Sequence, residues 1–396
     1  MPPSLFLDLS HTSHTRARTG VQRVARSLRK ALGEQALGVC FDPYERAWRP
    51  LSKAEELTLD STAPATARGS RWSLAASLRG RMRRLRKKNA ALSALATKDG
   101  GGPDGVLVPE IFSPAVARAL PQLFAASPGP RVALFHDAIA LQHPEFTPRG
   151  TVARFPAYLQ ELLQFDGIAA VSEASRQSLL DYWSWLGVSR LPEVKAIPLG
   201  LDPPAAAPAP APAGEPTILC VGSIEARKNH VALLEACEAL WARGLKFRLH
   251  LVGLAHAETG GPAVKRIAAL KGAGRSLRYD GPADERALEE SYGGASFTVY
   301  PSLAEGYGLP VAESLSRGLP CLCRFEGALG EIARGGGCID LADAGPRAIA
   351  AAIEELLFSA GRLAALSEAA RSRRFRTWPE YVDDLLPWMK SLGRHA

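Results

Sequence analysis

At 396 residues, 46% of them hydrophobic, 22% charged and 7% aromatic, the chain is long enough for two compact domains, since single cores rarely grow past roughly 250–300 residues. This composition excludes collagen-like, coiled-coil and wholly disordered chains. No apolar run reaches the ~18 residues of a spanning helix, and the opening MPPSLFLDLSHTS has no basic n-region followed by an apolar h-region, so the expectation is a cytoplasmic protein without a signal peptide. The formal charge of +8 is local. Nine basic residues and no acid lie between Arg68 and Lys88, and without them 39 basic residues face 40 acidic ones.

In chain order, Leu5–Leu9 reads as a buried parallel strand and Val21–Leu32 as a helix. From about Pro50 to Gly102 no clean period holds, and this stretch is expected to be an insertion carrying the basic run. Within it, Trp72 to Leu85 predicts a basic amphipathic helix with Trp72, Leu74, Leu78, Met82 and Leu85 near one face. Strand-like runs return at Val106–Val108, Val132–Phe135 and Ile168–Val171, with helical spacing over Ala153–Leu163. The segment Asp202–Gly214 alternates Pro and Ala and predicts an extended connector, so a domain boundary is placed there. Beyond it, strands are expected at Thr217–Val221, Leu249–Val252, Phe297–Tyr300 and Cys321–Cys323, and helices at Val231–Trp241 and Ile349–Leu357. This alternation predicts α/β layers around parallel sheets, which bind ligands at the carboxyl ends of their strands. The six cysteines show no zinc-ligand spacing and read as small buried hydrophobes in a reducing compartment.

Tyr300-Pro-Ser-Leu-Ala-Glu-Gly-Tyr-Gly-Leu-Pro-Val-Ala-Glu313 carries the densest chemistry. A strand ends near Tyr300, Gly306 and Gly308 permit close backbone approach, and Pro310 suits the first turn of a helix. The N–H groups of Leu309, Val311 and Ala312 are then expected to face outward as an anion site for a phosphate. Glu305 and Glu313 would flank that site, an arrangement suited to a nucleotide sugar. A Gly-rich turn with a capping acid is the plainer reading of the same residues. In Cys220-Val-Gly-Ser-Ile-Glu-Ala-Arg-Lys-Asn229, Arg227 and Lys228 follow the first strand of the second block, where they could neutralise a diphosphate. Taken alone, an Arg-Lys pair is ordinarily a solvated loop. No Asp-x-Asp occurs, so no metal is expected; His11 and His14 follow the first strand and read either as cleft-lining groups or, in the favoured reading, as polar loop residues, and His143 as part of a turn.

Together these stretches resemble the GT-B glycosyltransferases of family 4, a large retaining group that uses nucleotide-diphosphate sugars. Glu305-Gly-Tyr-Gly-Leu-Pro-Val-Ala-Glu313 is similar to their two glutamates separated by seven residues, and Gly222–Asn229 to the variant of bacterial mannosyl- and rhamnosyltransferases of surface polysaccharides. Phe135–Phe146, Ala170–Arg176 and Arg18-Thr-Gly-Val-Gln-Arg23 resemble their first-domain loops. The resemblance implies that Glu313 binds the donor ribose and Glu305 the hydroxyls of the transferred sugar. It further implies that backbone amides around Gly306, Tyr307, Gly308 and Leu309 hold sugar and diphosphate, that Arg227 and Lys228 neutralise the diphosphate, that His136 touches the donor sugar near the acceptor hydroxyl, and that Gly20 approaches the leaving diphosphate. Two departures stand out: Ser223 where many relatives carry arginine, and the single Gly20 where many have two or more glycines.

The resulting expectation is two doubly wound Rossmann-like domains facing across a cleft. They comprise 1–200 with the insertion at about 50–102, a linker at 201–215, a nucleotide-sugar domain at 216–376 and a final helix at 377–396 crossing back to the first domain. The expected reaction moves a hexose, mannose or rhamnose favoured, from a nucleotide-diphosphate sugar, a GDP-sugar favoured, to a glycan or lipid-linked glycan. No cofactor and no nucleic acid are expected, and the Arg68–Lys88 run is expected to touch anionic membrane at the inner face of the cell membrane. Two other readings stand beside this one: an epimerase or hydrolase on the same fold, and a non-catalytic protein that binds anionic lipid or nucleic acid.

Overall fold

The computed structural model describes residues 3–63, 69, 72–85, 103–204 and 214–393. They divide into two compact units, one of residues 1–137, 154–200 and 378–396, the other of residues 138–153 and 201–377. Residues 138–153, kept with the first domain by the sequence reading, thus belong to the second unit. Residues 205–213 of the Pro-Ala connector lie outside the described residues, as do Arg68, Arg71, Arg86, Lys87 and Lys88 of the basic run.

The first unit holds a seven-stranded sheet: β1 (Leu5–Asp8), β2 (Ala36–Asp42), β3 (Ala47–Pro50), β4 (Val106–Val108), β5 (Arg131–Phe135), β6 (Gly167–Ala170) and β7 (Glu193–Ala196). Their order is β3-β2-β1-β4-β5-β6-β7, parallel except for the antiparallel edge pair β2–β3. Every side chain of β1, β4 and β6 is buried, as expected where helices cover both faces of a parallel sheet. The helix Gly20–Leu32 returns the chain from β1 to β2 and buries Val24, Ala25, Leu28 and Leu32. The last helix, Trp378–Ser391, packs in this same unit, where Trp388 Nε1 donates to Glu193 Oε1 at 2.5 Å.

The expected insertion contains a helix at Lys53–Asp60, closed by a capping box between Ser52 and Glu55. A second helix, Leu74–Leu85, follows. Trp72 does not share the exposed face of that helix as the spacing predicted. It precedes the helix and stacks on the His14 ring with centroids 3.7 Å apart, while His14 Nε2 sits 2.9 Å from Glu55 Oε1. His14 thus lies in the loop after β1, with its side chain packed and paired inside the first unit.

The second unit holds β8 (Thr217–Val221), β9 (Arg248–Val252), β10 (Leu277–Tyr279), β11 (Phe297–Tyr300), β12 (Cys321–Cys323) and β13 (Cys338–Asp340), all parallel in the order β10-β9-β8-β11-β12-β13. Its core joins Leu233, Leu240, Phe247, Leu249, Phe297, Val299, Ile349 and Ile353 from strands and covering helices. All six cysteines are free and buried, and Cys321 pairs in register with Cys338.

Candidate functional site

In the second sheet the strand order reverses between β8 and β11, the position at which open α/β sheets bind ligands. The loops leaving these two strands carry the sequence-predicted groups. After β8 the chain runs through Gly222 and Ser223 to a 3₁₀ turn at Ala226–Lys228. Gly253, in the loop after β9, lies so near that a Cβ there would meet the Gly222 carbonyl oxygen at 1.9 Å. Asn229 then takes a left-handed conformation (φ 57°) and its amide donates to the Ala344 carbonyl at 2.8 Å, turning the chain into the helix His230–Ala242.

Arg227, Lys228 and Glu305 converge here. Arg227 Nη1 donates to Glu305 Oε2 at 2.8 Å and to the Ala304 carbonyl at 3.0 Å, and Arg227 Nη2 pairs with Glu225 Oε1 at 2.8 Å. Lys228 Nζ pairs with Glu305 Oε1 and donates to Tyr300 Oη, and the Tyr300 hydroxyl donates to Glu305 Oε1 at 3.1 Å. The Glu305 and Lys228 side chains are 7% and 8% exposed. Burial pushes the Glu305 carboxyl up, but the charges of Arg227 and Lys228 outweigh it and hold the pKa at about 2. Burial lowers the Lys228 ammonium against the pull of Glu305. The carboxylate thus supplies the counter-charge for a buried lysine beside an arginine.

Glu313 lies on the helix Leu309–Ser316, which starts at Gly308 with φ 104° and ψ 42°. A Cβ at Gly308 would meet Leu329 Cδ2 at 2.7 Å, so only glycine fits that cap. The outward N–H groups expected there are fewer than predicted. Val311 N–H and Ala312 N–H both donate to the Gly308 carbonyl, at 3.0 and 3.2 Å, because the cap residue's own carbonyl accepts the first bonds of the helix. Gly306, Gly308 and Leu309 are buried and Tyr307 half-buried; burial pushes the Tyr307 hydroxyl up to about 12. Glu313 is 5% exposed and accepts from the Tyr292 hydroxyl at 3.1 Å, while the Arg317 guanidinium lies 4.5 Å from the Tyr292 ring centre.

His136 and Gly20 belong to the first unit. His136 follows β5, is 7% exposed, and its Nε2–H donates to the Pro109 carbonyl at 2.7 Å. That bond fixes the tautomer and leaves Nδ1 as the acceptor, while burial lowers the ring pKa and keeps it neutral. Gly20 opens its helix in an exposed position where a Cβ would touch nothing, so packing within the described residues does not require glycine there.

Two carboxylates escaped the sequence reading. Asp8 and Glu110 stand at the carboxyl ends of β1 and β4, the neighbouring strands between which the first sheet reverses its order. Glu110 accepts from the backbone N–H groups of His11 and Thr12, both at 2.8 Å, and Asp8 from Ser10 N–H at 2.9 Å. Burial and the charge of Glu110 push Asp8 up to about 7. Together they clamp the loop that leads from β1 to Gly20. Among the described residues, no group of three or more His, Cys, Asp or Glu side chains is placed to hold a metal ion.

Comparison with known proteins agrees with this architecture. Residues 205–373 match the family "Glycosyl transferases group 1". The serotype-specific mannosyltransferase WbdA of Escherichia coli is 25% identical over 89% of this chain and 42% of its own length. A D-inositol 3-phosphate glycosyltransferase of Thermobispora bispora is 32% identical over 40% of this chain and 39% of its own. The chain thus spans about two fifths of the length of these curated relatives. Among solved structures, sucrose-phosphate synthase from Thermosynechococcus elongatus aligns with TM-score 0.68 at 18% identity over 99% of both chains. Anabaena Alr3699/HepE in complex with UDP and glucose aligns with TM-score 0.70 at 14% identity, covering 98% of this chain and 100% of that one. With two parallel-sheet α/β units and these neighbours, the chain has the GT-B fold, and its residues 205–373 match the glycosyl transferases group 1 family.

Proposed function

We propose that the chain is a retaining hexosyltransferase that moves mannose or rhamnose from a nucleotide-diphosphate sugar, a GDP-sugar favoured, to a hydroxyl of a growing bacterial surface glycan. The observation that carries this reading is the Arg227–Lys228–Glu305 cluster at the β8/β11 reversal, beside the glycine-capped helix that bears Glu313. Two cations converging on one carboxylate suit a diphosphate leaving group, whose charge grows as the sugar bond breaks. Glu305 suits the hydroxyls of the transferred sugar and Glu313 those of the ribose. The mannosyltransferase names of the relatives favour mannose among hexoses.

In this reading the protein supplies position and charge rather than a nucleophile. Arg227 and Lys228 stabilise the departing diphosphate, one of whose oxygens takes the acceptor proton as the new glycosidic bond forms on the same face. Neutral His136, with Nδ1 free of the Pro109 bond, suits an acceptor for a sugar hydroxyl. No metal enters this mechanism, since the cationic side chains do its electrostatic work. A lipid-linked acceptor would place the work at the inner face of the cell membrane.

The test is a panel of GDP-, UDP- and dTDP-sugars, read first as thermal stabilisation and then as release of free nucleoside diphosphate with and without a glycan acceptor. Stabilisation by one donor class, with release that depends on acceptor, is the expected result. Release independent of any acceptor would indicate a hydrolase. Absence of stabilisation by every donor would remove the assignment.

A further inference from the structure

The helix Leu74–Leu85 has its polarity inside out. Ala76 and Ser77 are half-buried and Gly80 is buried, so the small residues face the protein. A Cβ at Gly80 would meet Asp42 Oδ1 and Tyr44 Cβ, both at 2.9 Å, at the turn that follows β2. The large apolar residues point away: Leu74 is 85% exposed, Leu78 60%, Met82 49% and Leu85 83%. At the helical period these four fall on one stripe. Arg79 and Arg84 flank the stripe and Arg81 stands beside it, all three exposed. Arg83 turns back to the protein, its Nη1 3.6 Å from buried Glu45 Oε2.

The attachment of this helix is specific. Arg81 lies 5.6 Å from the centre of the Tyr44 ring, and Tyr44 meets Trp72 edge-on with ring centroids 5.8 Å apart. Trp72 stacks on His14 and lies 5.7 Å under the Arg49 guanidinium, whose own charge is met by Asp42 and Glu55. A tryptophan, a glycine contact and an ion pair therefore hold one face of the helix against the first unit. Among the described residues, nothing covers the opposite face, four large apolar side chains rimmed by arginine.

We infer that this face is an interfacial docking helix for an anionic bilayer. Arginines alone would serve a lipid headgroup or a nucleic-acid phosphate equally well. The apolar stripe decides between them, because Leu74, Leu78, Met82 and Leu85 gain from an acyl-chain boundary and gain nothing from a phosphate backbone. The sequence places no acid between Asp60 and Asp99 to oppose the attraction. No described helix is long and apolar enough to cross a membrane, so the contact is peripheral. Long arginine stems lie along apolar surface while their guanidinium groups reach the phosphates, which suits flanking positions on such a helix.

The experiment is sedimentation of the full chain with vesicles of phosphatidylglycerol and phosphatidylcholine, or of phosphatidylcholine alone, at 50 and 500 mM NaCl with no sugar donor present. Binding is expected on the anionic vesicles at low salt, weaker at high salt and absent on neutral ones. Arg79→Gln and Arg84→Gln should each lower the partition coefficient about fivefold. Leu78→Glu combined with Leu85→Glu should lower it at least tenfold with the thermal midpoint unchanged, since both side chains are exposed. Failure of the wild type to bind anionic vesicles at 50 mM NaCl would overturn the inference. So would undiminished binding by the double leucine variant, or equally tight binding to duplex DNA that ignores that variant. Because no donor enters the assay, its failure leaves the reading of the β8/β11 site standing, and failure of that reading leaves this one.

Discussion

Replacing Glu305 by glutamine should strengthen the binding of a bare diphosphate, although the residue lies in the site. In the free protein the Glu305 carboxylate occupies both cations that the diphosphate would use, Arg227 at 2.8 Å and Lys228 beside it. A diphosphate must therefore displace an internal anion. Hydrogen bonds to charged groups are worth about 1.5–3 kcal/mol each, and glutamine keeps the shape and one acceptor while losing the charge. A net gain of one such bond corresponds to roughly 10- to 150-fold tighter binding. The same change leaves Arg227 and buried Lys228 short of an anion, and breaking a buried pair costs about 3–5 kcal/mol of stability. Calorimetric titration with inorganic pyrophosphate and with nucleoside diphosphate measures the affinity, and thermal unfolding measures the stability. The Glu305→Gln protein should melt lower when free and recover most of the loss with saturating pyrophosphate. With a full sugar donor its turnover should fall, because the sugar hydroxyls lose their acceptor. Pyrophosphate affinity equal to or weaker than wild type would refute the idea that these cations serve a diphosphate.

Four further outcomes follow from the geometry. Glu313→Ala should weaken donor binding by about 1.5–3 kcal/mol, read as at least a tenfold rise in dissociation constant by titration. Turnover should persist in excess EDTA; loss restored by Mn²⁺ or Mg²⁺ would contradict a metal-free site. Gly308→Ala should destabilise the chain by about 1–3 kcal/mol in denaturant unfolding, since φ 104° and the Leu329 contact both exclude a Cβ. Asp8, raised to about 7 by burial and by Glu110, favours its protonated form in the folded state. Its contribution is therefore present below the ordinary aspartate range and is lost as pH climbs through 7. Asp8→Asn, which keeps the bond from Ser10 N–H, should flatten that loss in a series of melts from pH 4 to 8.

Central strands were legible in the sequence and marginal ones were not, for a reason of solvation. β4, β8, β11 and β12 lie inside their sheets and read as apolar runs, interrupted only by Thr217 and Thr298. The strands that escaped notice are β3, β7, β10 and β13, each at a sheet edge, and β2 next to one. β7 reads Glu-Val-Lys-Ala with alternate residues exposed, and three-residue β10 carries Arg278 in its middle. An edge strand is half in water and is recruited by pairing with its neighbour, so composition gives it little signature.

The same contrast runs through the site. Gly308, Pro310 and Glu313 fall within six residues, and their spacing alone announces a glycine-capped helix with an acid in its second turn. The partnership of Arg227 with Glu305 spans 78 residues, and that of Glu110 with the His11 backbone spans 99. Nothing local marks either. Along the chain, two cations and a carboxylate stand as separate groups waiting for a ligand, whereas burial forbids that separation. A lysine 8% exposed beside an arginine must find an anion within the fold before any ligand arrives. The residue nearest in the fold is the glutamate that the motif assigns to the sugar. Under the proposed function, sugar recognition and charge neutralisation fall on one carboxylate, and a donor that engaged both cations would release that carboxylate to the hydroxyls of the sugar it carries.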